Sequence, residues 1–342
     1  MGSELSTPII AAFGAQRGPA KAVSRYSVAL FGIFGGPVAR RSTIRNWLEF
    51  APTWAVLQAL RWLPLPLAGA FANALADGVR LFTPRWNHIA TINLGIAFPG
   101  WSQQRQAEAI KASYRNLGAN ALALARLPRL NRQNISEWIH YDGLEHYEAA
   151  LAKGNGVIFL TAHLGVWELS AAAHAIYGHP MWSMVRPLDN PYLDRLVEDR
   201  RHLFGNRTIR KQDSAREVLT VLRSNGAVGI LADQNAAGPD GVFVDVFGKA
   251  ASATSGVAQL AARTGAAVVP GFAVWSDVES KYLLRFWPPL ELIDSGDRDK
   301  DVTENTQTCQ AAIENAVREY PEQWLWVHRR WKRRPEGQRT VY

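Results

Sequence analysis

The chain is short of cysteine, of methionine and of long apolar runs. Its single cysteine, Cys309, excludes an internal disulfide framework and any zinc site built on cysteines. A reducing compartment is the simplest fit. The longest uncharged runs near the N-terminus, residues 27–39, 50–60 and 62–76, fall below the roughly 18–20 residues that a membrane span needs. Arg61, Asp77 and Arg80 interrupt what would otherwise be one apolar block. That pattern describes a surface lying on a bilayer rather than passing through it. No G-x-S-x-G elbow occurs, which argues against a serine hydrolase of that type. Gly248-Lys249 lacks P-loop spacing, and there is no H-E-x-x-H. His163, Glu168, His174 and His179 lack ligand spacing, so no metal is expected. No recognisable nucleic-acid module accompanies the basic residues, and no nucleic-acid partner is expected.

What the chain does have is positive charge and tryptophan. Thirty-eight Lys and Arg against 30 Asp and Glu leave a formal charge of +8, with a pI near 9.7. Such a balance favours an anionic partner, and without a nucleic-acid module the choices are an acidic protein or an acidic membrane surface. Thirteen tryptophans against three methionines add a second sign, because Trp concentrates at membrane–water boundaries. At 342 residues with 47% hydrophobic content the chain can bury a substantial core.

Residues 1–42, rich in Gly, Ala, Pro and Arg without a sustained period, read as a loosely ordered arm. From Thr43 the pattern is helical, until Pro64 and Pro66 break it; a second apolar helix covers 67–82. The apolar content continues around both helices instead of forming one stripe, which leaves a buried pair and a membrane-docking section as equal readings. Two more helices follow, over 85–98 and from the Ser102 cap to 126, and another runs from 142 or 143 to 153. Strand-like runs at 156–162, 181–186, 227–232, 267–275 and 282–287 then alternate with helices near 165–177, 190–204, 213–224 and 252–264. A last helix covers 302–320, followed by Trp324-Leu325-Trp326 and a basic run from His328 to Arg334. The alternation predicts an α/β fold, a central mostly parallel or mixed sheet flanked by helices. The division is an arm at 1–42, a helical section at 43–142, an α/β core at 143–334 and a tail at 335–342.

The chemistry centres on Gly156 to Leu169, GVIFLTAHLGVWEL. A buried strand runs into His163, and Glu168 stands in the first turn of the following helix. Five helical steps would separate the two side chains by about 140°, so they meet only if His163 lies on the loop before the helix. There Glu168 can hold one ring nitrogen while the other takes a proton from a substrate hydroxyl. A loop histidine beside a solvated glutamate is the plain alternative. Open α/β sheets place ligands at strand ends, and three more stretches stand there. Arg186, before Pro187-Leu188-Asp189-Asn190, can hold a phosphate or a developing oxyanion, or simply pair with Asp189 or Asp194. Asp233-Gln234-Asn235 follows another apolar strand; Asp233 can orient a substrate or anchor Arg186, or merely form a turn. Residues 252–256 lead into a helix whose amides can accept an anion, or into a plain capped helix.

Together these stretches resemble the bacterial late acyltransferases of lipid A biosynthesis, a group that extends to phosphatidylinositol mannoside acyltransferases. The resemblance runs from Arg45-Asn46-Trp47-Leu48-Glu49 through Tyr114-Arg115-Asn116-Leu117-Gly118 and His163-Leu164-Gly165-Val166-Trp167-Glu168, which matches the H-x4-D/E signature. It continues through Arg186-Pro187-Leu188-Asp189-Asn190, Asp233-Gln234, Val244-Asp245-Val246-Phe247-Gly248 and Ala267-Val268-Val269-Pro270 to Trp326-Val327-His328-Arg329-Arg330-Trp331-Lys332. Residues 1–42 lie outside it. It implies a glycerolipid-acyltransferase-like fold and an enzyme with no cofactor, whose co-substrate is acyl carrier protein or coenzyme A thioester. His163 and Glu168 are then the catalytic pair, and Arg186, Asn190, Asp233 and Gln234 the oxyanion and substrate residues. The implied partners are acyl carrier protein, an anionic glycolipid acceptor and the membrane surface, at the cytoplasmic face of the inner membrane. A thioesterase or lipid hydrolase using water, and a non-catalytic lipid-binding scaffold, are the rival readings.

Overall fold

The computed structural model of the chain describes residues 42–210, 214–238 and 241–342; the arm expected at 1–42 lies outside the described residues, except for Ser42. Four helices come first: α1 (Thr43–Trp62), α2 (Leu65–Phe82), α3 (Pro84–Ala97) and α4 (Gln103–Arg126). Ser42 and Ser102 open α1 and α4, each hydroxyl accepting from the amide three residues on, at 3.2 Å, which satisfies one of the free N–H groups of a helix start. The helix α2 turns a row of small residues, Ala68, Ala72 and Ala76, toward α4. Gly118 of α4 completes the close approach, since a Cβ there would lie 2.8 Å from the Ala72 carbonyl oxygen. The large apolar side chains are left outside: Trp47, Leu48, Trp62, Leu67, Leu81 and Phe82 are all at least half exposed. Among the described residues no helix is long and apolar enough to cross a membrane.

Strands and helices then alternate. In order they are β1 (Ile139–Asp142), α5 (Leu144–Leu151), β2 (Val157–Thr161), α6 (Trp167–Ile176), β3 (Trp182–Val185), α7 (Pro191–Arg201), β4 (Arg207–Arg210) and α8 (Ser214–Arg223). After these come β5 (Ala227–Leu231), β6 (Gly241–Val246), β7 (Lys249–Thr254), α9 (Gly256–Thr264), β8 (Ala267–Ser276), β9 (Lys281–Phe286) and α10 (Arg298–Glu319). Seven strands form one mixed sheet in the order β1-β9-β8-β2-β5-β3-β4. The strands from β8 to β4 run parallel, while β9 is antiparallel to β8. Side chains alternate across the sheet as the strand period requires: Ile158, Leu160, Val228 and Ile230 face a core built with α8, α9 and α10, whereas Val157, Phe159 and Ala227 face α5 and α6. Helices therefore cover both faces of a mostly parallel sheet, as the alternation implies.

One expectation needs correction. The helix placed over 252–264 begins only at Gly256, because residues 249–254 form β7, paired with β6 in a two-stranded hairpin. Its two-residue loop is Phe247-Gly248, both at positive φ (54° and 74°), as a tight hairpin turn demands. A phenylalanine is strained in that region, and the offset comes from burial: its ring packs among Phe98, Trp324, Trp326 and Trp331. The basic run at the C-terminus is partly enclosed. Arg330 and Trp331 are buried, with Arg330 donating to the Ser252 carbonyl and to Gln310, so the middle of the run ties the C-terminus into the core.

Candidate active site

Strand register builds the centre of the site. Adjacent parallel strands β2 and β5 pair Thr161 with Leu231, and both chains run two residues further, to His163 and Asp233. Neighbouring strands lie about 4.8 Å apart, so the two side chains meet across the strand ends. The Asp233 carboxylate accepts from the His163 backbone N–H at 3.0 Å and lies 2.9 Å from its Nδ1. It also accepts from the Trp324 indole N–H at 2.8 Å. His163 keeps 18% of its side-chain surface exposed and Asp233 only 3%, so the imidazole is reachable and the carboxylate is not. Burial by itself would raise the Asp233 pKa, but the nearby His163 charge and the three hydrogen bonds hold it at about 2. Asp233 is thus ionised at neutral pH and oriented to accept from Nδ1–H, leaving Nε2 as the basic nitrogen. Gln234 stands beside the ring, its Nε2 3.5 Å from each imidazole nitrogen.

The loop carrying His163 is held from three sides. Leu325 donates its N–H to the His163 carbonyl at 3.0 Å, and Val166 donates to Ala273 of β8 at 2.8 Å. Asn116 and Asn120, one turn apart on α4, both donate to the Gly165 carbonyl, at 2.9 and 2.7 Å. Gly165 itself has φ +63°, and a Cβ there would sit 1.8 Å from the Ala273 oxygen, so only glycine closes this loop onto the sheet.

Glu168 does not hold the ring. Its carboxylate is taken by Arg201 of α7 in a two-pronged ion pair, with Nε to Oε2 at 3.0 Å. Burial opposes ionisation there as well, and the Arg201 guanidinium overcomes it, keeping Glu168 below the usual carboxylate range. The cause is positional: Trp167 packs edge-on against His163 with ring centroids 5.1 Å apart, while Glu168, one residue on, projects toward α7. Arg186 is likewise not anchored by Asp233; it is half exposed and pairs with Asp189 at 3.4 Å. Asn190 is removed from the substrate set, because it is 3% exposed and wholly used as a cap. Its Oδ1 accepts from the Tyr192 and Leu193 amides, and its Nδ2 donates to the Asn46 carbonyl and to Glu49. Among the described residues no group of three or more His, Cys, Asp or Glu side chains is arranged to hold a metal ion.

Below the His163 loop a cavity opens between α6 and the sheet. Its walls are apolar apart from Ser170, Ser183, Thr161 and His174, and Trp167 is shared between the cavity and the His163 contact. Several residues that shape the site carried no separate signal in the sequence reading. Trp324, Arg201, Asn116 and His328 reach it from distant parts of the chain, His328 through its Nε2, which accepts from the Asn235 amide at 3.0 Å. Asn116 and Trp324 do fall in stretches whose residue types were already conspicuous.

The profile of the bacterial lipid A biosynthesis acyltransferases matches residues 39–333. A lipid A biosynthesis acyltransferase of Haemophilus influenzae is 26% identical over 284 residues, covering 82% of this chain and 87% of that protein. The lipid A biosynthesis lauroyltransferase of Escherichia coli is 26% identical over 298 residues, covering 87% and 94%. The myristoyltransferase of the same organism is 24% identical over 275 residues, covering 80% and 81%. With most of its length matched, this chain belongs to the bacterial lipid A biosynthesis acyltransferases and is an acyltransferase.

Proposed function

We propose that the protein works at a membrane surface, moving a fatty acyl group from a thioester to a hydroxyl of a lipid A precursor, with His163 as general base. The observation that carries this reading is the His163–Asp233 pair, set at adjacent strand ends over an apolar cavity. The His163 Nε2 takes the acceptor's hydroxyl proton as its oxygen attacks the thioester carbonyl. Asp233 stabilises the imidazolium that results. The tetrahedral oxyanion collapses with loss of the C–S bond, and the proton passes from His163 to the departing thiolate. No covalent enzyme intermediate is needed. No side chain caps the N-terminus of α6, so its first-turn amides and the Gln234 amide are suited to receive the oxyanion.

Glu168, ionised and paired with Arg201, also interacts coulombically with His163. Arg186, half exposed on the same edge of the sheet, supplies a cation for an acceptor phosphate. The thioester donor is acyl carrier protein or coenzyme A, both anionic, in keeping with the charge of +8. Membrane contact falls to the exposed apolar face of α1 and α2. At its rim Arg61 and Arg129 both lie over the Trp62 ring, at 5.0 and 5.4 Å, a cationic border suited to anionic headgroups. The exposed apolar face and its cationic border support peripheral attachment, which this reading assigns to the cytoplasmic face of the inner membrane.

The test is a transfer assay offering acyl thioesters of several chain lengths and a panel of glycolipid acceptors to the native protein and to His163→Ala. Acylated lipid A precursor from the native protein, with a loss of about 10²–10⁴-fold in the variant, is the expected result. Release of free fatty acid alone, or equal transfer by both proteins, overturns the reading.

A further inference from the structure

We propose that His174 closes the acyl cavity and sets the longest chain the enzyme accepts, an inference that rests on the acyltransferase reading above. The helix α6 lines the cavity with Trp167, Ser170, Ala171 and His174, the spacing of one helical face. From Trp167 to His174 that face descends about 10 Å. The sheet side descends in step. Thr161 and Leu231 stand at the strand ends beneath His163, and Phe159 and Gly229 lie two residues further down the same strands. The cavity therefore runs from Trp167, which packs against His163, down to the level of His174.

Two glycines let neighbouring side chains close in against the sheet-side wall. A Cβ on Gly229 would meet the Met181 Cε at 2.6 Å, and one on Gly271 would meet the Phe286 ring at 2.7 Å. The lower end, by contrast, is closed by a rigid ring. His174 is 1% exposed; its Nδ1 is 2.6 Å from the Tyr141 hydroxyl. His179 stacks on it at 5.1 Å, and Phe159 and Tyr147 pack against it edge to face at 5.0 and 4.8 Å. Burial holds its pKa down at about 3, so the ring is neutral. The Tyr141 hydroxyl engages Nδ1, and Nε2 has no hydrogen-bond partner in the protein.

An unpartnered polar nitrogen at the end of an apolar cavity discriminates by length. A chain that stops short leaves room for a water to satisfy Nε2. A chain whose methyl end reaches the ring strips that nitrogen of its water and gives nothing back. The preferred acyl group is therefore one that ends above His174.

The experiment measures kcat/KM for a series of saturated acyl thioesters differing by two carbons, with the native protein, His174→Ala and Tyr141→Phe. His174→Ala is expected to extend the accepted length, raising the ratio of the next longer chain to the native optimum by about tenfold or more. Tyr141→Phe removes the hydroxyl that fixes the ring while keeping its bulk. It is expected to blunt the length cutoff without moving KM for short chains, and it decides the matter if His174→Ala does not fold. An unchanged length profile in a folded His174→Ala, or in Tyr141→Phe, overturns the role of His174 while native transfer still stands. Absence of any native acyl transfer instead brings down the acyltransferase mechanism, and this inference with it.

Discussion

Two carboxylates near the site, Asp233 and Glu168, are both largely buried and both held below their usual pKa range, yet they face different partners. Asp233 faces His163, whose charge comes and goes and whose side chain remains 18% exposed. Glu168 faces Arg201, whose charge is permanent. An acid beside an imidazole stabilises a charge that appears only when the ring takes up a proton, so under the proposed mechanism it acts during the reaction. An acid beside a guanidinium balances a charge that is always there, so it acts chiefly in holding α6 to α7. The difference teaches that proximity in the chain is a poor guide to partnership: Glu168 is five residues from His163, and Asp233 is seventy.

The comparison breaks most sharply on turnover. Asp233→Asn keeps the size of the side chain but offers an amide where the ring needs an anion. Transfer should fall by about 10²–10⁴-fold with little change in substrate KM. If Asp233→Asn and Glu168→Gln cost the same turnover in folded protein, the distinction drawn between the two acids disappears.

A smaller effect is expected on stability. Glu168→Gln leaves the Arg201 charge without its anion. Removing one member of a fully enclosed pair costs about 3–5 kcal/mol. Arg201 keeps 29% of its side-chain surface, so about 2–3 kcal/mol is expected, read from chemical denaturation. Replacing both residues by methionine should recover that stability and most of the transfer. A stable double variant as inactive as Asp233→Asn would move Glu168 into the chemistry.

The smallest effect is on acid stability. The Asp233 pKa falls from 3.8 to about 2 on folding, so its ionised form favours the native state. That contribution, about 2 kcal/mol, is fully present above pH 4 and disappears as pH falls toward 2. The native protein should show this slope in denaturation midpoints between those values. Its persistence in Asp233→Asn would assign the slope to other carboxylates.

Much of the fold was legible because its signals are local. The apolar runs at 156–162, 227–232 and 267–275 became β2, β5 and β8, buried on both faces, and so they read as continuous hydrophobic strands. The edge strands β1 and β4 were missed because each has four residues and mixed polarity, which leaves no period to detect. The hairpin of β6 and β7 was read partly as helix because Ala250, Ala251, Ser252 and Ala253 carry no strand preference of their own. Their conformation comes from pairing with β6. In the site, His163 stood out because it follows an apolar strand, and Asp233 for the same reason. Trp324 and Arg201 did not, since nothing local marks the first as a donor to Asp233 or the second as the partner of Glu168.

By itself, then, the sequence determined the sheet's buried strands, the absence of a spanning helix among the described residues, and the strand ends at which polar side chains gather. Those follow from residue type and spacing, which act within a few residues. Only the tertiary structure decided which acid faces His163, because that depends on the register of β2 against β5, two strands separated by 65 residues of chain. It also decided that Asn190 is a buried cap and that Arg330 is enclosed. A hydrogen-bonding side chain is satisfied by whatever the fold brings within 3 Å, and the chain's own order does not carry that information.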